Sequence, residues 1–321
     1  MYLINSFRFG GGAAPIDPDF TMLVKTDNAG TSASDQFTIP TTGTGYNYDV
    51  DWGDGTTSTA VTGSTTHTFP SAGNYVVKIS GAFPRIYFNN GGDRRKLLEV
   101  QNWGNIAWST FSSAFFGCSN MDVTATDVPD LSSVTNFQYC FFGNTSLIGN
   151  SSFSNWDVSN VTNMRGLFRG SSSFNQNISS WNTINATTFL EMFLDASSFN
   201  QDISNWNVSN VTLFTTMFFG ASSFNQYIGN WDISSITSMS SIFRNSGMST
   251  ANYTDTIVGW ANYTTTNSSP FSVNMTTQTG RTFDTSRSGG ANFATAGDAR
   301  TYLTTATPTG AGWTISGDTV I

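Results

Sequence analysis

The chain has 321 residues, of which 38% are hydrophobic and only 11% are charged, with a formal net charge of −8 and a pI of about 4.4. That length allows two domains with packed cores, whereas the acidic balance argues against a nucleic acid or an anionic membrane as partner, because both require a basic patch. No stretch approaches the roughly 18 apolar residues of a membrane span, and the many small neutral polar residues are typical of an extracellular or virion-surface β protein.

The N-terminal segment 1–16, which includes Phe-Arg-Phe-Gly-Gly-Gly at 7–12, lacks the charged-then-apolar layout of a signal peptide. By analogy it resembles the short anchoring segment of phage structural proteins. We therefore expect residues 1–16 to dock into other virion structural proteins, and the protein to be extracellular on a virion surface. A bacterial cell-surface protein that lacks its signal peptide is the alternative.

Residues 17–84 have the pattern of a small β-sandwich. The run 46–52 alternates apolar and polar residues and is followed by a Gly-Asp-Gly turn, and a second run with alternating features covers 75–79. The segments Val-Asp-Trp-Gly-Asp-Gly-Thr (50–56) and His-Thr-Phe-Pro-Ser-Ala-Gly-Asn-Tyr (67–75) resemble the PKD-type immunoglobulin-like domain. This resemblance implies a β-sandwich that acts mainly as a spacer.

Few residues in this region suggest chemistry. The only histidine, His67, is interpreted as a packing or hydrogen-bonding residue. Asp49, Asp51 and Asp54 do not have the spacing of an EF-hand loop and are typical of strand ends and turns. We predict no metal and no cofactor.

Two further groups were considered as sites. The basic cluster of Arg94, Arg95 and Lys96 is short and is interpreted as a solvated loop. Cys118 and Cys140 lack metal-ligand spacing and are too few for a disulfide scaffold, so we expect buried free thiols.

A repeat organises most of the chain. Trp156, Trp181, Trp206 and Trp231 recur at one constant interval, and phenylalanines follow the same interval. Allowing small slips in register, six turns span about 97–247. Aromatic residues that recur at the same position of each repeat predict columns of buried rings in the core. One repeat alone cannot bury its own apolar face, so neighbouring repeats must stack on each other.

Within one turn, the sequence predicts a strand and a short helix. Ile203, Trp206 and Val208 have the spacing of a short parallel strand. The apolar residues of 211–218 recur at steps of three and four, which indicates a helix that ends at Gly220.

The turn Ser-Ser-Phe-Asn-Gln-Asp-Ile-Ser-Asn-Trp-Asn-Val-Ser-Asn-Val-Thr (197–212) recurs with variations at 151–162, 172–188 and 222–237. It resembles the BspA-like leucine-rich-repeat surface proteins of bacteria. The resemblance implies a leucine-rich-repeat solenoid over 85–247, attachment to host matrix proteins or other cells, and no catalytic residues.

Polar residues on the predicted strand face are the candidate ligand-binding residues. Their amides, carboxylates and hydroxyls could hydrogen-bond carbohydrate or peptide, although simple solubility explains them equally well. They are Asn155, Asp157, Ser180, Asn182, Asn205, Asn207, Asn230 and Asp232.

Residues 248–321 are predicted to be an α/β cap, with helical patterns at 253–263 and 296–304. The complete prediction is a mixed β/α protein: an N-terminal immunoglobulin-like β-sandwich, a leucine-rich-repeat solenoid of about 25-residue turns, each with a parallel strand plus a short helix, and this C-terminal cap.

The residue inventory argues against an enzyme, since no general base is recognisable, although a glycosidase with two converging carboxylates is a minor alternative. We expect a surface recognition or adhesion protein, such as a phage receptor-binding protein, whose partner is a host surface glycan or protein. The alternatives are an architectural decoration or spacer protein of a virion and a bacterial adhesin. A homotrimer and a monomer are equally expected.

Overall fold

The N-terminal strands form a mixed sheet that continues beyond residue 84. The computed structural model describes residues 17–267, 273–275, 282–305 and 311–321; the predicted anchoring segment 1–16 lies outside them. The first strands are β1 (Phe20–Lys25), β2 (Gln36–Ile39), β3 (Asn47–Asp51), β4 (Thr57–Val61), β5 (Thr65–Thr68), β6 (Asn74–Ala82), β7 (Leu97–Asn102) and β8 (Asp122–Val123). Six of them pair in the order β4-β3-β6-β1-β7-β8, and β2 pairs with β5 in a separate sheet.

The alternation predicted for residues 46–52 is confirmed. Tyr48 and Val50 are buried while their neighbours in β3 are exposed. Trp52 is also buried and stacks on His67, with ring centroids 4.6 Å apart. Nε2 of His67 lies 2.8 Å from Oδ2 of Asp54, so the histidine has the packing and hydrogen-bonding role predicted for it.

The interpretation of residues 94–96 as a solvated loop is wrong for Lys96, whose side chain is fully buried. Its ammonium group donates to the carbonyl oxygens of Ala33 and Gln36 at 2.7 and 2.8 Å. The buried carboxylate of Asp93 lies 3.9 Å away and accepts hydrogen bonds from backbone amides in the loop before β2 and in β2 itself. This buried pair fixes the loop before β2 to the loop before β7.

Residues 109–249, here called the repeat stack, consist of successive turns joined by backbone hydrogen bonds. The amides of Phe214, Thr216, Phe218 and Gly220 donate to carbonyl oxygens of the next turn at 2.9 to 3.0 Å. The amides between them donate within the same repeat and close tight turns. The amide of Met217, for example, donates to the carbonyl oxygen of Phe214. Left-handed backbone at Thr216 (φ 54°) and Gly220 (φ 70°) makes this alternation possible. We call this part of each turn the ladder segment.

Aromatic columns fill the interior of the repeat stack. One column runs through six buried phenylalanines with centroids 5.6 to 6.1 Å apart and rings within 11° of parallel: Phe115, Phe141, Phe168, Phe193, Phe218 and Phe243. The predicted tryptophans are buried as well. Cys118 and Cys140 are buried and free, as predicted, and burial raises the pKa of both thiols well above the usual value.

The predicted fold class is wrong. Between residues 124 and 249 the structure has neither an α-helix nor a strand beyond isolated bridges, and its one helical element is a 3-10 helix at Ser151–Asn155. The leucine-rich-repeat solenoid of parallel strands and short helices is therefore absent. The self-contained immunoglobulin-like sandwich is also corrected, because β7 and β8 extend the same sheet. The protein is built mainly from mixed sheets and turns.

Two α-helices occur within the described residues, α1 (Thr250–Asn267) and α2 (Ala296–Thr304), and both lie where the sequence predicted them. Four two-residue strands accompany them: β9 (Asn274–Met275), β10 (Thr282–Phe283), β11 (Thr314–Ile315) and β12 (Thr319–Val320). Trp260 of α1 donates its indole N–H to the carbonyl oxygen of Ile228 at 3.1 Å, so α1 packs on the last turns of the repeat stack. Neither helix is long and apolar enough to cross a bilayer.

Candidate functional site

The eight predicted binding residues lie together on a surface formed by turns rather than by strands, which we call the turn face. Seven of them are exposed and Asp232 is half-buried. Four occupy the same position in consecutive repeats and accept a hydrogen bond from the amide two residues later: Asp157, Asn182, Asn207 and Asp232. Such Asx turns hold the backbone locally.

Two more of the turn-face residues bind the preceding turn. Ser180 donates to the carbonyl oxygen of Ser154 at 2.6 Å, and Asn230 donates to that of Ser204 at 3.1 Å. The side chains of Asn155 and Asn205 make no hydrogen bond within the described part of the chain. The turn face thus has an evident structural role, while ligand binding by it stays a prediction.

Hydrogen bonding also sets the ionisation of the turn face. The hydroxyl and amide of Ser159 lower the pKa of Asp157. Burial favours a higher pKa for Asp232, but hydrogen bonds from Ser234 and from the hydroxyl of Tyr263 outweigh it and the pKa falls. Both carboxylates are therefore ionised at neutral pH and already have donors.

The ladder segments form a second surface that differs in chemistry, which we call the ladder face. Its side chains are half-buried, apart from the exposed Asp195, and some of them belong to left-handed residues of the ladder segments. Residues 85–94, which adjoin the first ladder segment, extend this face. Its larger and charged members are Arg85, Tyr87, Arg94, Phe116, Tyr139, Phe142, Arg165, Arg169, Glu191, Leu194, Asp195, Phe219 and Arg244.

A charged cluster lies at the centre of the ladder face. Nη1 of Arg169 lies 2.8 Å from Oε2 of Glu191, and Nη2 of Arg165 lies 3.6 Å from Oε1 of the same carboxylate. The side chains of Arg165 and Arg169 are 39% and 33% exposed, whereas that of Glu191 is 17% exposed. One partly shielded carboxylate is thus shared by two accessible guanidinium groups.

Aromatic rings adjoin these guanidinium groups. The rings of Phe116 and Phe142 stack with centroids 4.4 Å apart. The guanidinium of Arg169 lies 4.7 Å from the Phe142 centroid, and that of Arg244 lies 5.3 Å from the Phe219 centroid. Cation–π contacts of this kind orient the guanidinium while leaving its edge available to a ligand.

The ladder face also concentrates positive charge. Residues 17–249 contain six arginines, and five of them, all except Arg95, belong to this face. Opposing them there are two carboxylates, those of Glu191 and Asp195. In a chain with a net charge of −8, this is the part of the repeat stack where an anion would be attracted.

Sequence reasoning missed the ladder face because residues 211–220 were interpreted as a helix. A signal was present, since one position of successive turns is occupied by Phe142, Arg169, Leu194, Phe219 and Arg244. At this repeat position the side chains are long and vary between aromatic, aliphatic and cationic types. The core columns, in contrast, have phenylalanine in every turn.

Metal-ligating side chains and imidazoles are sparse in the described part of the chain. Among the described residues, no group of three or more His, Cys, Asp or Glu side chains is placed to hold a metal ion. The one imidazole–carboxylate pair, His67 with Asp54, is packed against Trp52.

Comparison with known families adds an assignment for the repeat stack. A model described as "Mycoplasma protein of unknown function, DUF285" matches residues 109–212, 135–260 and 188–280. These overlapping segments cover 109–280, more than half of the chain. The chain belongs to this family. The DUF285 region contains the whole turn face and the ladder face from Phe116 to Arg244, and its description assigns no function. No curated protein and no solved structure matches the chain.

Proposed function

We propose that this protein is a non-enzymatic surface recognition or adhesion protein that binds a host glycan or protein through the ladder face. The observation that carries the proposal is the concentration of arginines and half-buried aromatic rings on that face. Arg and aromatic residues are the side chains most enriched in binding hot spots.

The turn face is less suited to ligand binding than the ladder face. The turn face consists of small polar groups, most of which hold turns or bind the neighbouring turn. Hydrogen bonds already made within the protein must be broken before such groups can bind a ligand, which lowers the net gain. At the two ends of the ladder face, the side chains of Arg94 and Arg244 make no hydrogen bond or ion pair in the described part of the chain.

The proposed location of the protein is extracellular. The resemblance to BspA-like surface proteins, whose studied members attach to host matrix proteins or other cells, favours an extracellular position. A virion surface and a bacterial cell surface are the two versions, and segment 1–16 would then join the protein to its virion or cell.

The test is to apply the purified protein to a glycan array and to intact candidate host cells, with the heat-unfolded protein as control. Saturable binding by the folded protein alone is the expected result. An absence of binding to every surface, with an unchanged circular dichroism spectrum, would contradict the proposal and favour an architectural virion protein.

A further inference from the structure

We infer that the ladder face takes an acidic polysaccharide, with the carboxylates of the sugar chain paired to its arginines and the sugar rings set against its aromatic side chains. This inference rests on the proposed function and names the ligand class for it.

Positive charge is distributed along the axis of the repeat stack. Arg94 lies beside Gly117 in the first ladder segment, Arg165 and Arg169 lie in the third, and Arg244 lies in the last. Adjacent parallel-paired segments are about 4.8 Å apart, so these charges are spread over roughly 25 Å. A linear array of that length suits a polymer with regularly repeated negative charges better than a single small anion.

Glu191 provides an internal carboxylate on the ladder face. Its carboxylate, on a side chain 17% exposed, bridges Arg165 and Arg169. This contact shows that a carboxylate can bind to these two guanidinium groups. In the proposed complex, Glu191 provides the carboxylate at this point of the face, and the polysaccharide provides the carboxylates that bind the remaining arginines. Arg94 and Arg244, which have no internal carboxylate in the described residues, are the expected ligand contacts, and Arg169 also has an exposed edge.

Backbone pairing in the ladder segments excludes an added peptide strand. Backbone groups of the ladder segments point along the axis and are paired between turns. The first segment is covered by residues 88–90, which donate to Ser113, Ala114 and Phe116, and the last is bridged at Ser238 to Asn274. No free edge is presented by the described ladder segments for strand addition, so recognition must use side chains.

The experiment measures binding of the whole protein to three soluble polymers: polygalacturonate, its fully methyl-esterified form, and poly-glutamate. We expect saturable binding to polygalacturonate, weakened by added salt, and little binding to the neutral ester or to poly-glutamate. Arg169→Gln combined with Arg244→Gln should weaken binding by at least about tenfold, the effect of losing one charge-assisted hydrogen bond.

Two further variants make the test specific. Arg95→Gln removes the same charge from an exposed position outside the ladder face and should leave the affinity unchanged. Glu191→Gln keeps the size of the side chain but removes the competing carboxylate, and should strengthen binding severalfold. Thermal unfolding of each variant verifies that the fold is intact, and Arg169→Lys serves if Arg169→Gln does not fold, because it keeps the charge but not the bidentate geometry.

Each other outcome has a defined meaning. Equal binding to the methyl ester, or equal or stronger binding to poly-glutamate, would overturn the acidic-polysaccharide inference. Binding to host cells without binding to polygalacturonate would overturn the inference while the proposed function stands. An equal loss of affinity in Arg95→Gln would overturn the assignment to the ladder face.

Discussion

Trp206 lies parallel to Trp181 in the neighbouring turn, with ring centroids 6.2 Å apart and an interplanar angle of 4°. Its indole N–H also donates to the carbonyl oxygen of Ile178 at 3.0 Å. Trp181, Trp231 and Trp260 make the same kind of bond to the preceding turn. Trp156, at the start of the column, is buried, but its indole N–H has no hydrogen-bond partner among the described residues. From Trp181 onward the tryptophans thus bond each turn to the one before, and Trp181 and Trp206 also stack on each other.

This difference between tryptophans gives the first prediction. Trp206→Phe removes ring area and one hydrogen bond, whereas Trp156→Phe removes similar area and an unpaired N–H. We expect Trp206→Phe to lower the free energy of unfolding by about 1 kcal/mol more than Trp156→Phe. Guanidinium unfolding followed by circular dichroism measures both, and equal losses would show that the indole bond adds nothing.

The buried ion pair near β2 gives the second prediction. Lys96→Met removes the ammonium group and leaves Asp93 as an uncompensated buried charge, which should cost about 3 to 5 kcal/mol. Arg95→Met, at the exposed neighbouring position, should change stability by less than about 0.5 kcal/mol. Urea unfolding of the two variants compares them, and similar midpoints would contradict the burial of Lys96.

The third prediction concerns acid stability. Burial favours a higher pKa for Asp54, but hydrogen bonds from Thr56 and His67 outweigh it and lower the pKa from 3.8 to about 2. Because the folded-state pKa is the lower one, the stabilisation is complete above pH 3.8 and is lost as the pH falls toward 2. Melting temperatures between these pH values should fall more steeply for the wild type than for Asp54→Asn. Parallel curves would rule out this contribution.

The turn face gives the fourth prediction. Oδ1 of Asn207 accepts from the amide and the hydroxyl of Ser209 at 3.1 and 2.7 Å, so Asn207→Ala should destabilise the protein by about 1 kcal/mol. Asn205→Ala, which breaks no such bond, should change stability by less than about 0.5 kcal/mol. Calorimetric melting separates the two, and an unchanged melting temperature for Asn207→Ala would refute the structural role of the Asx turn.

The sequence predicted some features of the fold well because they depend on local periodicity. Alternation identified β3, the spacing of tryptophans and phenylalanines identified the core columns, and helical periodicity found α1 and α2. The spacing of apolar residues along the sequence indicates which side chains are buried, and these features depend on burial.

The errors arose where backbone pairing decides the structure. Val211, Phe214 and Phe218 recur at helical steps, yet the ladder segment uses left-handed backbone at Thr216 and sends alternate amides to the next turn. Threonine gives no signal for positive φ, and the bonding partner lies a whole turn further along the chain. The ladder face was therefore hidden, and Lys96 was misjudged because its acceptors lie far earlier in the chain, in the loop before β2 and at the first residue of β2.

The most direct test of the account is to compare two variants for binding to a host cell or matrix surface that the wild type binds. One carries Arg94→Gln, Arg169→Gln and Arg244→Gln on the ladder face, and the other carries Asn155→Ala, Asn182→Ala, Asn205→Ala and Asn207→Ala on the turn face. We predict that the ladder-face variant loses binding, and that the turn-face variant keeps it despite lower stability. Binding retained by the ladder-face variant and lost by a folded turn-face variant would contradict the account.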